Sequence, residues 1–453
     1  MHKKIDNNQN RYPMENKNEY LAAIDIGTTK IVTIVGRKNE NNKLEIISLS
    51  KTPSTGVKRG LITNIEETVN AIRKTLEETK SRTGLSFKNV FVGIAGQHIR
   101  SSRNRTYRII QSPNNEITRE DVKALLDDMK NLPIEAGEEI LHVIPQNYIV
   151  DMESNITTNP VGMTGKRLEG NFHIVIGNTM STRNIERCIQ AVGLNLYKLI
   201  LEPLASSEAV LTDEEKEAGV ALVDIGGGTT DIAIYHEKII WHTAVIPLGG
   251  DVITKDIKEG CAILPRQAEE LKIRHGSCLP EAMDNDAKIV IEGMYGRGKK
   301  EVSSMFLSGI IHARMDEILD GVIFEIESSG LMDKLSAGIV VTGGGALLRH
   351  LPQLIKFKTG MDVRIGYPCE HLTAATSDDI NHPMYATAIG LLLKGYEYLD
   401  EHNLSASSLL PAEAENKEEP TMTKEKQEEG WLGNFRKFKD KLLELFEDDD
   451  TRM

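Results

Sequence analysis

"VDIGGGTTD", residues 223–231, sets an aspartate, three glycines and two threonines between runs of β-branched residues. A shorter copy, "IDIGTTK", occupies residues 24–30. Glycine lets the backbone fold tightly and aim successive N–H groups at one point, and such a concavity holds an anion. The threonine hydroxyls add donors suited to phosphate oxygens. Gly27, Thr28, Thr29 and Lys30 are the candidates in the first turn; Gly226, Gly227, Gly228, Thr229 and Thr230 are those in the second. Asp25 and Asp224, just ahead of the glycines, are candidates to hold Mg²⁺ directly or through water, because that ion takes hard oxygen ligands and keeps much of its hydration. Two copies make sense if the chain folds as two similar halves that grip one polyphosphate from opposite sides. No G-x-x-x-x-G-K-[ST] loop occurs, so the phosphate site is not a P-loop.

The surroundings of the two turns match. "LAAIDIGTTKIVTIVG" (21–36) reads as strand, turn, strand, and "KLEIISLS" adds a third strand. "NIEETVNAIRKTLEETKSR" then places Ile65, Val69, Ile72 and Leu76 at helical spacing. "GVALVDIGGGTTDIAIYHEKIIWHTAVIPLGG" repeats the strand–turn–strand–strand order. Between the repeats, residues 85–170 read as a β/α insert, in which Thr118 and Asp121 have the spacing of a helix cap. Residues 250–335 read as mostly helical. "SAGIVVTGGGALLRHLPQLIKFKTG" reads as strand, glycine turn, helix, and "HPMYATAIGLLLKGYEYL" as a final core helix.

A chain of 453 residues has room for about two to four domains. Its composition, 40% hydrophobic and 27% charged, is that of a folded, water-soluble protein. A net charge of -13 argues against wholesale nucleic-acid binding, which needs a basic surface. Cys188, Cys261, Cys278 and Cys369 lack C-x-x-C spacing and read as ordinary thiols in a reducing compartment. His98, His142 and His173 fall in no metal-ligand pattern. No apolar stretch is long enough to span a membrane as a helix, and residues 1–19 read as a polar arm without the apolar middle of a signal peptide. A cytoplasmic protein is expected.

These motifs resemble those of the actin, Hsp70 and sugar-kinase superfamily of ATPases. "AIDIGTTK" resembles its first phosphate loop and "LVDIGGGTTDIAI" its second. "VVTGGGALL" resembles its adenosine motif, so Gly343, Gly344, Gly345 and Ala346 would let base and ribose lie against backbone. "LILEPLASSEAV" resembles the connecting motif, whose Glu202 would orient water or Mg²⁺ near the γ-phosphate. "RQAEELKIRHG" resembles the helix whose Glu269 and Lys272 would reach the ribose and base. The resemblance implies an α/β, actin-like duplicated ATPase fold: two lobes around a nucleotide cleft that holds ATP and Mg²⁺. Asp25, Glu202 and Asp224 are the residue types that hydrolysis needs, since a carboxylate orients the attacking water while cation and backbone donors carry phosphate charge. A competing reading of "GGGALL" as a dinucleotide fingerprint has Leu348 at its third glycine position, and no parallel β-α-β unit is expected around it.

The early position of the insert narrows the resemblance. "KNVFVGIAGQHIRSSRNRT", "ITREDV" and "EILHVIPQNYIVD" resemble the subdomain peculiar to the FtsA family of bacterial cell-division actin homologues. The implied layout is an arm (1–19), the first-lobe core (20–84 and 171–204, with a return at 367–398), and the insert (85–170). The second-lobe core follows (205–249 and 311–366), with a helical subdomain (250–310), a linker (399–429) and an amphipathic helix (430–447). Along that last helix, at about 100° per residue, Trp431, Phe435, Phe438, Leu442 and Leu445 share a face that Leu432 and Phe446 widen. Arg436, Lys437 and Lys441 lie at its flanks or opposite, and Lys439 would snorkel. This pattern is that of an interfacial membrane helix, or of a helix docked on protein; the acidic end "EDDD" weakens attraction to anionic lipid.

Membership of the FtsA family would favour the membrane. It would imply filaments on the cytoplasmic face of the inner membrane at the division site, with the chain peripheral and its ATPase weak. It would imply docking of the FtsZ C-terminal peptide on residues 250–310 and contact of the insert with later division proteins. Arg297, Lys299 and Lys300 are candidates for an acidic peptide, and an ordinary solvated basic loop explains each equally well. The alternative is a soluble ATPase of the superfamily, or a small-molecule kinase, whose tail helix binds a protein partner. No substrate-activating aspartate can be assigned for a kinase. Nor does a β-rich substrate domain follow the ATPase, as an Hsp70-type chaperone would require.

Overall fold

The first turn closes an antiparallel hairpin between β1 (Leu21–Ile26) and β2 (Lys30–Lys38). Every residue of β1 is buried, Asp25 included, as expected of a strand covered on both faces. In the computed structural model the described residues are 20–404, apart from 153–155, 284–286, 294–297, 374–378 and 403. They belong to one unit, Met1–Leu410. The amphipathic helix expected at 430–447, with Trp431, Leu432, Phe435, Phe438, Leu442, Leu445 and Phe446, lies outside the described residues, as do the arm at 1–19, nearly all of the linker, and Arg297.

β3 (Leu44–Pro53) completes the meander, and a small hairpin, β4 (Val57–Lys58) with β5 (Leu61–Ile62), leads into α1 (Ile65–Thr83). Asn64 caps α1 by accepting the Glu67 N–H, and Gly84 ends it in the left-handed conformation at φ 70. β6 (Asn89–Ile94) returns parallel to β1. The insert follows as β7 (Arg100–Ile109), α2 (Arg119–Lys130), β8 (Glu138–Val150), β9 (Ile156–Thr157) and β10 (Arg167–Asn178). Its antiparallel sheet has the order β7-β10-β8-β9. The Thr118–Asp121 pair forms the full capping box at the start of α2. β6, grouped with the insert in the sequence reading, pairs instead in the first-lobe sheet. Its apolar run "NVFVGI" marks a buried strand without saying in which sheet.

α3 (Thr179–Ala191) and β11 (Asn195–Leu201) complete the first sheet, of order β11-β6-β1-β2-β3. α4 (Glu202–Val210) and α5 (Asp213–Ala218) then lead to β12 (Val220–Ile225), β13 (Thr230–His236) and β14 (Ile239–Ile246). The second half continues through α6 (Gly250–Cys261), α7 (Pro265–His275), the hairpin β15 (Lys288–Ile291) with β16 (Lys300–Ser303), and α8 (Ser304–Ser329). It ends with β17 (Ile339–Thr342), α9 (Leu351–Thr359), β18 (Val363–Ile365) and α10 (Ala386–Glu401). The second sheet, β14-β13-β12-β17-β18, repeats the first in order and direction: antiparallel across the meander, parallel beyond it. This is the duplicated α/β architecture expected from the paired turns. One expectation fails. β17, α9 and β18 form a parallel β-α-β unit around "GGGALL". β18 has three residues, "VRI", too short and too polar to stand out as a strand.

α4 and α10 cross between the lobes and share a core with both sheets. Leu21 and Phe91 of the first half, Leu204, Ala205 and Ile389 of the crossing helices, and Leu222 and Val340 of the second half belong to one buried cluster. The helices touch at Gly390: a Cβ there would lie 1.8 Å from the Ala205 carbonyl oxygen. Helix propensity alone favours alanine over glycine by about 1 kcal/mol. Gly390→Ala is nonetheless expected to destabilise the protein by about 3 kcal/mol, because a backbone carbonyl has no rotamer with which to yield. Urea denaturation checks this; a neutral or stabilising change would show that the helices can separate freely.

Candidate functional site

The two glycine turns meet. A Cβ on Gly227 would lie 2.3 Å from Thr29 Cγ2, and one on Gly228 would lie 2.4 Å from Thr28 Oγ1. Only glycine admits this approach. The second turn is held from behind by the start of α6, where the Gly250 and Asp251 N–H groups donate to the Gly226 and Gly227 carbonyls at 2.9 and 2.8 Å. The first is braced by the Gly60 N–H, which donates to the Thr28 hydroxyl at 3.2 Å, and by the Ser54 N–H, which donates to the Thr29 carbonyl at 3.0 Å.

The matching registers place Asp25 and Asp224 alike, each next to last in its strand. Asp25 faces Val32 across the first hairpin, while Asp224 faces a second carboxylate, Asp231. Glu202, first residue of α4, enters from beside β6. A Cβ on Gly93 would lie 3.1 Å from its Cγ and Oε1, so a glycine makes its room. One cavity is lined by Asp25, Gly27, Thr28, Thr29, Lys30, Glu202, Asp224, Gly226, Gly227, Gly228, Thr229, Gly343 and Gly344, together with Asp231, Pro383, Met384 and Thr387.

Four carboxylates lining one small cavity, three of them buried, resist ionisation. Burial pushes Asp25 up to about 6; the Lys30 ammonium pulls the other way and Asp224 adds to the rise. Burial raises Glu202 well above its ordinary range, with Asp25, Asp231 and Asp224 adding to the shift. Asp231 is raised well above its range by burial and then by Asp224. Asp224 is raised by burial but relieved by hydrogen bonds from Ser206 and Thr387. The Thr229 hydroxyl donates to Asp231 Oδ2 at 3.2 Å, whereas Asp231 Oδ1 is buried without a partner among the described residues. A divalent cation nearby would relieve the repulsion and satisfy that oxygen, so the donor set fits Mg²⁺. Among the described residues no three side chains converge closely enough to enclose a metal alone.

Some predicted residues fall elsewhere. Thr230 donates its hydroxyl to the Leu248 carbonyl at 2.9 Å. Gly345 packs against the Ile225 side chain, and Ala346 is fully buried in the second-lobe core. Glu269 and Lys272 sit one helix behind the turn. The Lys272 ammonium bonds the Gly250 carbonyl at 2.9 Å, the Thr254 hydroxyl at 2.8 Å and Glu269 at 2.8 Å. Lys299 pairs with Glu292 at 2.9 Å on the exposed hairpin. The Lys300 ammonium bonds the Cys261 carbonyl at the end of α6, a favourable place for a cation.

The sequence reading missed Asp231, although it closes the quoted stretch "GGGTTD". It also missed Ser206, Thr387, Pro383 and Met384. The signal for Asp231 was an acid directly ahead of the buried run Ile232, Ala233, Ile234 and Tyr235. Ser206 and Thr387 gave none, because hydroxyls in helices are common.

Duplicated sheets, facing glycine turns and two crossing helices define an actin-like two-lobed α/β protein with an inserted subdomain. Solved structures agree on the fold. The chain matches one from the PilM–PilN type IV pilus biogenesis complex at TM-score 0.58 and 16% identity, over 83% of this chain and 98% of that one. It matches MreB5 of Spiroplasma citri bound to ADP at TM-score 0.50 and 16% identity, over 85% and 99%. A family model described as cell division protein FtsA matches residues 221–390, and one described as the SHS2 domain inserted in FtsA matches 96–176. Curated cell division proteins FtsA from Pseudomonas aeruginosa and Neisseria meningitidis are each 37% identical to it. The first match covers 83% of this chain and 89% of the relative, the second 84% and 91%. The chain belongs to the FtsA family of cell division proteins.

The carboxylate cluster carries a pH signature. A carboxyl raised by folding favours the fold when protonated; that contribution is complete below its unfolded value near 3.8 and is lost as pH rises through its folded value near 6. Asp25→Asn mimics the protonated form at every pH. Without nucleotide, its stability advantage over the unmodified chain is therefore expected to grow between pH 4 and pH 7, to on the order of 2–3 kcal/mol. Urea melts across that range check it; an advantage independent of pH would mean that Asp25 is ionised throughout.

Proposed function

We propose that the chain is an ATP-binding, actin-like division scaffold that polymerises on the cytoplasmic face of the cell membrane and tethers the FtsZ ring there. The observation that carries this reading is the pair of interlocked glycine turns around three buried aspartates and the half-buried Glu202, in a member of the FtsA family. The ADP bound to MreB5, a protein of the same fold, supports nucleotide as the ligand class. In this reading the turn backbones and the hydroxyls of Thr28, Thr29 and Thr229 bind phosphate oxygens, with Lys30 adding charge. Gly343 and Gly344 give the nucleoside a surface without side chains. Asp25, Asp224 and Asp231 hold Mg²⁺ through water, and Glu202 orients a water toward the terminal phosphate. When bound, the cation supplies charge neutralisation for the phosphates and the carboxylates alike. Contact of Glu269 and Lys272 with the ribose requires Lys272 to exchange its present partners.

ATP acts chiefly as an assembly ligand, with weak hydrolysis. The FtsZ C-terminal peptide docks on residues 250–310. There Lys299 remains available to an acidic peptide at the cost of one exposed ion pair, while Lys300 is committed to α6. The insert contacts later division proteins, and the helix at 430–447 anchors the chain peripherally at the division site.

Pelleting with anionic lipid vesicles and ATP tests the reading. The full chain is compared with one ending at Leu404, which keeps α10 whole, and with Trp431→Glu in the full chain. Only the unmodified chain is expected to pellet, with at least about tenfold enrichment over the variants, since a glutamate in place of an interfacial tryptophan opposes insertion. If all three stay in the supernatant, the tail binds protein and the membrane part of the proposal is overturned.

A further inference from the structure

Three hydroxyl and carboxylate oxygens meet where the two lobes join. The Ser206 hydroxyl, on α4, donates to Asp224 Oδ2 at 2.6 Å. The Thr387 hydroxyl, at the start of α10, donates to the same oxygen at 3.1 Å. The two hydroxyl oxygens are 3.0 Å apart. Asp224 and Ser206 are buried, and Thr387 is half-buried. With both donors on Oδ2, the carboxylate plane is fixed and Oδ1 is turned the other way, against Gly343: a Cβ there would sit 2.3 Å from Oδ1. Gly343, at φ +83, has the left-handed backbone that glycine adopts freely. Its bare Cα is what keeps Oδ1 reachable from the cavity.

One donor, Thr387, comes from the far side of the lobe boundary. Asp224 belongs to a second-lobe strand. α10 is anchored on the first lobe: the Tyr396 hydroxyl donates to the Gly36 carbonyl at 3.0 Å, and Gly395 lies against Leu21 and Phe91. The separation of Ser206 from Thr387 is set by the helix crossing at Ala205 and Gly390, one residue and one turn away.

We propose that Ser206 and Thr387 are positioning residues for the cation-bound nucleotide. They saturate Asp224 Oδ2, aim Oδ1 at the cavity, and so set how well the site holds Mg²⁺ with nucleotide. The proposal rests on the nucleotide reading of the cleft. It goes beyond that reading in assigning the orientation of Asp224 to two hydroxyls that bond its Oδ2, Ser206 behind the cavity and Thr387 at its wall. Carboxylates that hold a metal commonly depend on such outer partners.

The test measures binding of a fluorescent ATP analogue to the full chain, first in EDTA and then across a Mg²⁺ titration. The variants are Ser206→Ala, Thr387→Val, the double variant, and Thr387→Ser, which keeps the hydroxyl. In the double variant the Mg²⁺ concentration for half-maximal nucleotide binding is expected to rise about tenfold, each single variant giving part of that rise. For Ser206→Ala, whose hydroxyl lies outside the cavity lining, affinity in EDTA should stay unchanged within about twofold. Thr387→Ser should restore the Mg²⁺ requirement of the unmodified chain. An equal loss with and without Mg²⁺, or failure of Thr387→Ser to restore, would show a merely structural role and overturn the proposal. An unchanged Mg²⁺ requirement in every variant overturns it as well. Should the double variant fail to fold, the single variants and the Thr387→Ser comparison decide by the same criteria. If the unmodified chain binds no analogue in either condition, the nucleotide reading itself fails, a result distinct from any variant pattern.

Discussion

Carboxylates packed together away from water repel one another and lose hydration at the same time. Asp25, Glu202, Asp224 and Asp231 meet in this way at the junction of the lobes. Removing one isolated charge from water costs several kcal/mol even after relaxation. The surrounding fold must therefore hold the cluster by force of packing. It does so from two sides, with each sheet delivering its aspartate from a fully buried central strand and the crossing helices closing the floor. Local strain of this kind persists only where the neighbouring structure over-determines it. Here the over-determination comes from one apolar core shared by both halves. The site and the fold's stability are thus linked: whatever neutralises the carboxylates also relaxes the place where the lobes meet.

The duplication is close in topology and unequal in chemistry. The two five-stranded sheets match strand for strand, yet position 32 is valine where the equivalent position 231 is aspartate. The second turn also has three glycines to the first's one. Those extra glycines let the second turn pass against Thr28 and Thr29 and fold back onto α6. The first turn contributes the cation, Lys30, and the threonine side chains that fill the space its partner leaves open. Each half is therefore incomplete without the other, which is the physical answer to why the motif occurs twice.

What the sequence disclosed follows the range of the interaction. The turns, their flanking strands and the long amphipathic helix α1 were legible because glycine, β-branched residues and periodic apolar positions act locally. The capping box at Thr118 was legible for the same reason. β18 was not: three residues with an arginine in the middle become a strand only because β17 lies beside them. The sheet to which β6 belongs was equally hidden, since burial does not name the partner. Ser206 and Thr387 are separated by most of the second lobe in sequence, and nothing local distinguishes them from other helical hydroxyls. Lys272 was read by family resemblance as reaching for ribose; in this structure it bonds the Gly250 carbonyl, the Thr254 hydroxyl and Glu269. Its position followed from the helix, whereas its present partners depend on the packing of α7 against α6.

The insert shows how a segment of one lobe becomes mechanically tied to the other. It enters the chain within the first half, yet its polar side chains grip β14, the edge strand of the second sheet. Gln146 donates to the Ile240 carbonyl at 2.7 Å, Ser101 to the Thr243 carbonyl at 2.9 Å, and Arg103 to the Trp241 and Ser329 carbonyls at 3.3 and 3.0 Å. His173 meets the Thr243 hydroxyl at 2.9 Å; burial pushes its pKa down to about 4, with help from His242, so it stays neutral near pH 7 and brings no buried charge to the interface. An exposed edge strand invites pairing with other chains, and these bonds spend its free carbonyls on side chains from another sheet. The same bonds constrain motion. Rotation of the second lobe away from the first must either carry the insert along or break several partly buried hydrogen bonds at once. Breaking one such bond leaves a buried polar group unpaired, at about 1–3 kcal/mol. Carrying the insert along strains its connections to the first lobe instead, where Ile99 and Leu141 pack against the first-lobe core and the His142 side chain accepts the Leu201 N–H at 3.1 Å.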